Sequence, residues 1–363
     1  MTINLFEPYR ISNMELKNRF VRSATWDATA DSSGAVTASS AALYKKLGQG
    51  GVGLIISGYA FVSSLGQAIN GQYGVHTDNM IFGLRKMVQA AHEGGAKIAL
   101  QIVHAGINSH YLPQKGITNL AVSNVLHVKN PHREMTDEEI ESIISDFASA
   151  ALRAKEAGFD AVQLHGAHGY LMSQFLSPLF NLRTDRWGGS SENRRRFHLE
   201  VVEKVRQKVG NDFPLLIKLG MQDDDEEGLV LNEALEATRL IVERGIDSIE
   251  ISGGFGGSIR AREEGDPEQP YFREQAAAVK RMVSVPVILV GGIRSLQVAQ
   301  NILNSNDADL ISMCRPFIRE PDLITRWQKG DKNPARCISC NKCFGILMKG
   351  EPLECALEKI KKD

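Results

Sequence analysis

The chain of 363 residues lacks an excess of charge of either sign: 42 lysines and arginines stand against 43 aspartates and glutamates, a formal net charge of -1. Nucleic acid and anionic membrane both call for a basic surface, so neither is expected as the main partner. Long hydrophobic runs are missing too. None approaches the roughly twenty apolar residues of a membrane span, and the opening Met-Thr-Ile-Asn-Leu-Phe-Glu-Pro has neither the basic head nor the apolar centre of a signal peptide. The expectation is a soluble cytoplasmic protein that acts on a small molecule, with a homo-oligomer left open. No Walker motif occurs, and no Gly-x-Gly-x-x-Gly follows a strand, which argues against a separate nucleotide-binding domain. Cysteine is scarce, and four of the five crowd into the last thirty residues, unlike the spread of a disulfide framework.

What is present is a regular alternation. Segments 18–23, 52–57, 97–103, 160–164, 214–219, 248–252, 286–290 and 309–313 are short, β-rich and mostly apolar, as buried strands are. Stretches with helical periodicity lie between them, at 78–92, 136–157, 191–209, 232–243 and 295–303. Thr136 with Glu139 three positions on forms a capping box, followed by the apolar rhythm Ile140, Ile143, Ile144, Phe147. Eight alternating units predict an α/β fold, the (β/α)8 or TIM barrel, over residues 1–330, with a short cysteine-rich appendage at 331–363.

The connections are unequal. Links from helix to strand are short and carry glycine, as at Gly94-Gly95, Gly158 and Gly245. Links from strand to helix at 107–135, 171–190 and 252–270 are long, and all belong to the end where barrel enzymes keep their sites. Polar residues gather there. Gln101 and His104 follow the third strand, and His165, His168 and Tyr170 follow the fourth within six positions. Two imidazoles that converge on one point suit a substrate oxygen gaining negative charge, and a nearby phenol suits proton delivery to the adjacent carbon. The same cluster also fits a hydrogen-bonded core histidine beside a packed tyrosine, or, with no third ligand near, a metal pair.

Lys218 closes the fifth strand inside Leu-Leu-Ile-Lys-Leu and must face a counter-ion or polar ligand unless it snorkels to water. Gly291-Gly292 ends the seventh strand and Arg315 follows the eighth, the positions where barrels of this kind cradle a phosphate. The acidic run 223–227 reads as a solvated loop, and Arg194, Arg195 and Arg196 as divided between solvent and ion pairs. His76, His92, His110, His127, His132 and His198 show no convergent spacing and receive no role. In the tail, Cys337, Cys340, Cys343 and Cys355 give Cys-x2-Cys-x2-Cys-x11-Cys, ferredoxin-like spacing that favours a [4Fe-4S] cluster over zinc or empty thiols.

Asn18-Arg19-Phe20-Val21, Gln101 with His104-Ala105-Gly106, the stretch from His165 to Leu171, Phe175-Leu176-Ser177-Pro178 and the run from Asn181 to Ser190 together resemble the Old Yellow Enzyme family of FMN-dependent oxidoreductases. The match covers nearly the whole chain. The cysteine tail is similar to that of the iron–sulfur branch, which includes 2,4-dienoyl-CoA reductase, enoate reductase and trimethylamine dehydrogenase. The resemblance implies that Ser23, Ala24, Thr25 and Trp26 lie along the flavin, that Gly58 and Gln101 touch its pyrimidine side, and that Lys218 offsets charge near N1. It further implies that Gly291, Gly292 and Arg315 hold the FMN phosphate, that His165 and His168 grip a substrate carbonyl, and that Tyr170 donates a proton. Hydride would pass from reduced flavin to the β-carbon of an activated alkene. Trp26 replaces a usual threonine or cysteine, and Lys218 a frequent arginine, which keeps the charge without the fork. The sequence ends soon after Cys355, where relatives continue into FAD and NAD(P)H domains, so the expected reductant is NAD(P)H directly or an external electron-donor protein. Three rivals share these residues: amine dehydrogenation, a Schiff-base lyase or isomerase using Lys218, and an electron-transfer module without its own substrate.

Overall fold

A computed structural model describes residues 3–256, 260–262 and 267–360. Residues 257–259 and 263–266 of the third long connection lie outside that set, as do 361–363 of the tail. Eight strands carry the architecture: β1 (Phe20–Arg22), β2 (Leu54–Ile56), β3 (Lys97–Val103), β4 (Ala161–Gly166), β5 (Leu215–Gly220), β6 (Ser248–Ser252), β7 (Val287–Val290) and β8 (Leu310–Met313). Each pairs in parallel with the next, and β8 returns to β1, so the sheet closes into the expected barrel. Helices α1 (Ala38–Gln49), α2 (Ile81–Glu93), α3 (Asp137–Ala157), α4 (Ser191–Val209), α5 (Leu231–Glu243), α6 (Arg273–Lys280) and α7 (Leu296–Asn304) occupy the intervals between strands. No helix among the described residues is long and apolar enough to cross a membrane.

Local chemistry accounts for the boundaries. The capping box at α3 is formed, with the Glu139 amide donating to Thr136 Oγ1 at 3.3 Å and the Thr136 amide donating to Glu139 Oε2 at 2.9 Å. Gly158, at φ +92°, ends the same helix in the left-handed region that favours glycine. The five helical stretches named from periodicity do not include α1 and α6. Each turns only small or few apolar residues inward, Ala276 and Val279 in α6 and Tyr44 and Leu47 in α1, so neither writes a strong stripe into the sequence.

Side chains alternate across a strand with period two, and this alone sorts the barrel interior into layers. At the amino ends of the strands, Val21, Leu54, Ala99, Ala161, Leu216, Ile288 and Leu310 form one apolar cluster with Ile11, Met14 and Leu16. Those last three come from an antiparallel hairpin, Tyr9–Ile11 with Met14–Leu16, that plugs the barrel floor. At the next inward level five strands carry buried polar residues, Gln101, Gln163, Lys218, Glu250 and Ser312, while β2 and β7 carry Ile56 and Val290. The remaining strand residues, such as Leu164, Ile217, Leu219 and Ile251, face the helices in the main core.

The tail lies against the carboxyl end of the barrel. The Ala335 amide donates to the Arg294 carbonyl at 2.8 Å, and the Leu353 amide to the Asp27 carbonyl at 2.9 Å. Buried Glu320 pairs with both Arg326 and Arg336, at 3.1 Å each.

Candidate active site

The polar layer is a connected network. Gln101 Nε2 donates to Gln163 Oε1 at 2.7 Å, and Gln163 Nε2 donates to Glu250 Oε2 at 3.0 Å. Ser312 Oγ donates to Glu250 Oε1 at 2.7 Å. The Lys218 ammonium lies 3.2 Å from Glu250 Oε2 and donates to Ser23 Oγ at 2.7 Å. Lys218 therefore faces inward and has a counter-ion, as its place in an apolar strand demanded. The counter-ion itself escaped the sequence reading. Glu250 sits at the centre of Ser-Ile-Glu-Ile-Ser, in register with Lys218, and applying the two-residue alternation to β6 as well as β5 exposes it.

Above this layer stands the histidine pair. His165 and His168 have ring centroids 5.0 Å apart at 90°, and Tyr170 lies 5.0 Å from His165. Gly166 ends β4, and the tight turn is made by His168 and Gly169, with φ of +62° and +72°. A non-glycine residue in that region costs of order 1 kcal/mol or more, and the loop is held by its neighbours. Asn108 Nδ2 and Gln174 Nε2 both donate to the Gly169 carbonyl, at 2.7 and 2.6 Å. His168 Nε2 shares a hydrogen with Ser252 Oγ at 2.8 Å, whereas the buried His165 Nδ1 has no protein partner.

Electrostatics fix the protonation of this group. Burial, then the Lys218 charge, pushes His168 down to about 3. Burial, followed by His168 and Lys218, takes His165 well below the usual histidine range. Both rings are neutral near pH 7, able to donate one hydrogen each without bringing a charge. Tyr170 is held above the usual phenol range by burial and donates its hydroxyl hydrogen to Tyr59 Oη at 3.1 Å. Tyr59, also raised by burial, was not singled out from the sequence. It follows Gly58 at the carboxyl end of β2, and the same strand-end criterion that found His165 would have found it.

The segment expected along a flavin is anchored from behind. Asp27 Oδ1 accepts from Tyr73 Oη at 2.9 Å and Asp27 Oδ2 from Tyr44 Oη at 3.1 Å, while Tyr44 Oη accepts the Gly58 amide at 2.8 Å. One buried tyrosine thus ties Gly58 to the stretch holding Ala24, Thr25 and Trp26. Thr25 Oγ1 donates to the Ser23 carbonyl and lies 3.0 Å from Cys314 Sγ. Trp26 Nε1 is buried without a protein partner.

The glycine pair and Arg315 lie together at the opposite edge. Gly291 and Gly292 adopt φ of +107° and +76°. A Cβ on Gly292 would fall 1.8 Å from the Gln269 carbonyl oxygen, and one on Gly291 2.8 Å from the Tyr271 ring, so close packing by 269–271 already requires glycine here. Arg315 reaches Tyr271 Oη and Asn341 Oδ1, both at 2.6 Å, linking the pair to the cysteine tail. Of the acidic run, Asp223 departs from the solvated reading. It is buried and accepts from Ser177 Oγ, the Leu229 amide and the Phe255 amide at 2.6, 2.8 and 2.7 Å, while residues 224–227 are exposed. Arg194 takes the expected ion pair, 2.5 Å from Glu233.

Cys337, Cys340, Cys343 and Cys355 line a single cavity with Arg315 and Asn341. Among the described residues, no three cysteine, histidine or acidic side chains meet closely enough to hold one metal ion. Burial and the neighbouring thiols push Cys343 up to about 11 and raise Cys337. Cys314 is the neighbour common to both.

Comparison with known proteins agrees with this geometry. The chain is 36% identical over 348 residues to an NADH oxidase of Thermoanaerobacter brockii, covering 94% of this chain and 54% of that protein, so it spans about half of that relative's length. A 2-naphthoyl-CoA reductase in complex with 2-naphthoyl-CoA superposes with a TM-score of 0.90 at 30% identity, covering 98% of this chain and 57% of the other. Morphinone reductase in complex with tetrahydroNAD gives 0.76 at 29% identity, covering 90% and 91%. The model of the NADH:flavin oxidoreductase / NADH oxidase family matches residues 4–333, and the chain belongs to that family.

Proposed function

We propose that the protein binds FMN across the open end of the barrel and reduces the C=C bond of an α,β-unsaturated carbonyl compound, with NAD(P)H or an electron-donor protein as reductant. The observation that carries this reading is the neutral, buried His165, whose Nδ1 has no protein partner beside a second neutral histidine. An unpartnered ring nitrogen on a buried neutral imidazole suits a substrate carbonyl oxygen, which gains negative charge as a nucleophile adds to the conjugated carbon, with the ring in the tautomer that donates from Nδ1.

The residues present fit the flavin. Lys218, Gln101 and Ser23 form a polar floor with one cation, Trp26 Nε1 is a further unpartnered donor, and Gly58 is fixed beside them. Gly291, Gly292 and Arg315 would hold the phosphate, with Arg315 turning from Tyr271 to do so. Bound FMN would supply the hydride from its reduced ring. His165 and His168 would bind and orient the carbonyl oxygen, and Tyr170 would hold a proton at its Oη for the neighbouring carbon. The raised phenol supports that role, because it keeps the proton in place at neutral pH.

Residues 331–363 would form an appendage with a [4Fe-4S] cluster on Cys337, Cys340, Cys343 and Cys355. The ferredoxin-like Cys-x2-Cys-x2-Cys spacing supports the cluster over zinc, and all four thiols line one cavity. The test is the visible spectrum of protein purified without oxygen, followed by NAD(P)H-driven reduction of a simple enone. Flavin bands with enone turnover are expected. A colourless protein that takes up no added FMN ends the reading.

A further inference from the structure

Glu250 is a fully buried carboxylate that takes no part in the steps above, yet four strands of the barrel are built around it. Its two oxygens accept from Ser312 Oγ at 2.7 Å and from Gln163 Nε2 at 3.0 Å, and Lys218 stands 3.2 Å away. All four residues are at most 2% exposed. Lys218 also reaches Ser23 at 2.7 Å and depresses both histidines through its charge, so its ammonium acts on the reacting end of the barrel. A charge in a low-dielectric interior is felt according to how completely its partner cancels it.

We infer that Glu250 is a positioning and charge-balancing residue that sets the reduction potential of the bound flavin by neutralising Lys218. The inference rests on the FMN reading above. Lys218 without a counter-ion would favour the reduced, negatively charged flavin strongly; Glu250 moderates that preference and keeps the flavin able to give its electrons away. The chain from Glu250 through Gln163 to Gln101 extends the same control to the amide expected at the flavin's pyrimidine side. Ser312 anchors the carboxylate from β8, so its position is fixed from both flanks of the barrel.

The two-electron midpoint potential of FMN in the purified protein tests this, measured by spectroelectrochemistry on wild type, Glu250→Gln and Glu250→Asp. Glu250→Gln is expected to shift the potential to more positive values, with Glu250→Asp returning most of the way to wild type. Should Glu250→Gln fail to fold, Ser312→Ala removes one donor to the carboxylate while leaving both charges, and is expected to shift the potential to more negative values. A Glu250→Gln protein that holds FMN at an unchanged or more negative potential overturns the inference, as does an unchanged potential in Ser312→Ala when that variant stands in. Wild-type protein that binds no FMN overturns the functional reading instead.

Discussion

Tyr170 and Tyr59 come from the loops after different strands, β4 and β2, and meet hydroxyl to hydroxyl at 3.1 Å with rings 5.4 Å apart. The contact limits the rotation of the Tyr170 hydroxyl and gives its proton a resting partner. We expect Tyr170→Phe to lower enone turnover by about a hundredfold, the lower range for a lost general acid. Tyr59→Phe should cause a smaller loss with FMN content unchanged. Stopped-flow measurement of flavin reoxidation by the enone separates the two, and equal losses would show that Tyr59 does more than hold its neighbour.

His165→Ala would remove one of the two donors proposed to meet the substrate carbonyl oxygen. The expected cost is about 3 kcal/mol of transition-state stabilisation, the scale of one lost oxyanion contact. FMN occupancy, read from absorbance, should stay at the wild-type value. Wild-type kcat/KM in this variant would remove the histidine from the proposed site.

Acid should destabilise the fold through its buried histidines. His104, His168 and His198 are each held down to about 3, by burial in every case, with Lys218 adding to His168. The unfolded chain takes up these protons below about pH 6.5, whereas the folded chain does not, so the stabilisation is complete above that pH and is lost as pH falls toward 3. Each such histidine contributes a slope of about 1.4 kcal/mol per pH unit across the window. Denaturant titrations from pH 7 to pH 4 should show falling stability, and a flat profile would contradict the assigned burial.

On the proposed cluster, Cys340→Ala should abolish iron binding while FMN stays bound, because His165, His168, Lys218 and Ser23 lie outside the cysteine cavity and Arg315, which borders it, is unchanged. Iron analysis beside FMN absorbance reads both in one preparation. Iron at the wild-type level would exclude Cys340 as a ligand.

Asp223→Ala would leave Ser177 Oγ and the Leu229 and Phe255 amides without an acceptor. The expected destabilisation is about 3 kcal/mol, given 1–3 for each buried donor left unmade and partial relief by water. Urea unfolding measures it. A change near zero would mean that solvent reaches this corner freely.

The barrel was legible because closed parallel strands are buried on both sides and leave short apolar runs, each followed by a polar residue where the chain turns outward. His165, Lys218 and Gln101 could be found that way, one strand at a time. Glu250 could not, because its meaning lies in sharing a level with Lys218 across neighbouring strands. Tyr59 stands one residue past Gly58 at the end of β2, where the strand-end criterion reaches it, but its pairing with Tyr170 spans 111 residues and is not visible locally. Asp223 hid inside a run of acids, since a count of charges does not say which one turns inward. The contacts of Arg315 with Tyr271 and Asn341 span 44 and 26 residues, a separation that no local pattern reports.

The hairpin wedged into the floor has a kinetic consequence. With Ile11, Met14 and Leu16 sealing one end, a small molecule bound beside the polar layer would enter and leave at the carboxyl end of the strands. On the proposed reading with NAD(P)H as reductant, NAD(P)H and enone would share that doorway and take turns, and each at high concentration should obstruct the other.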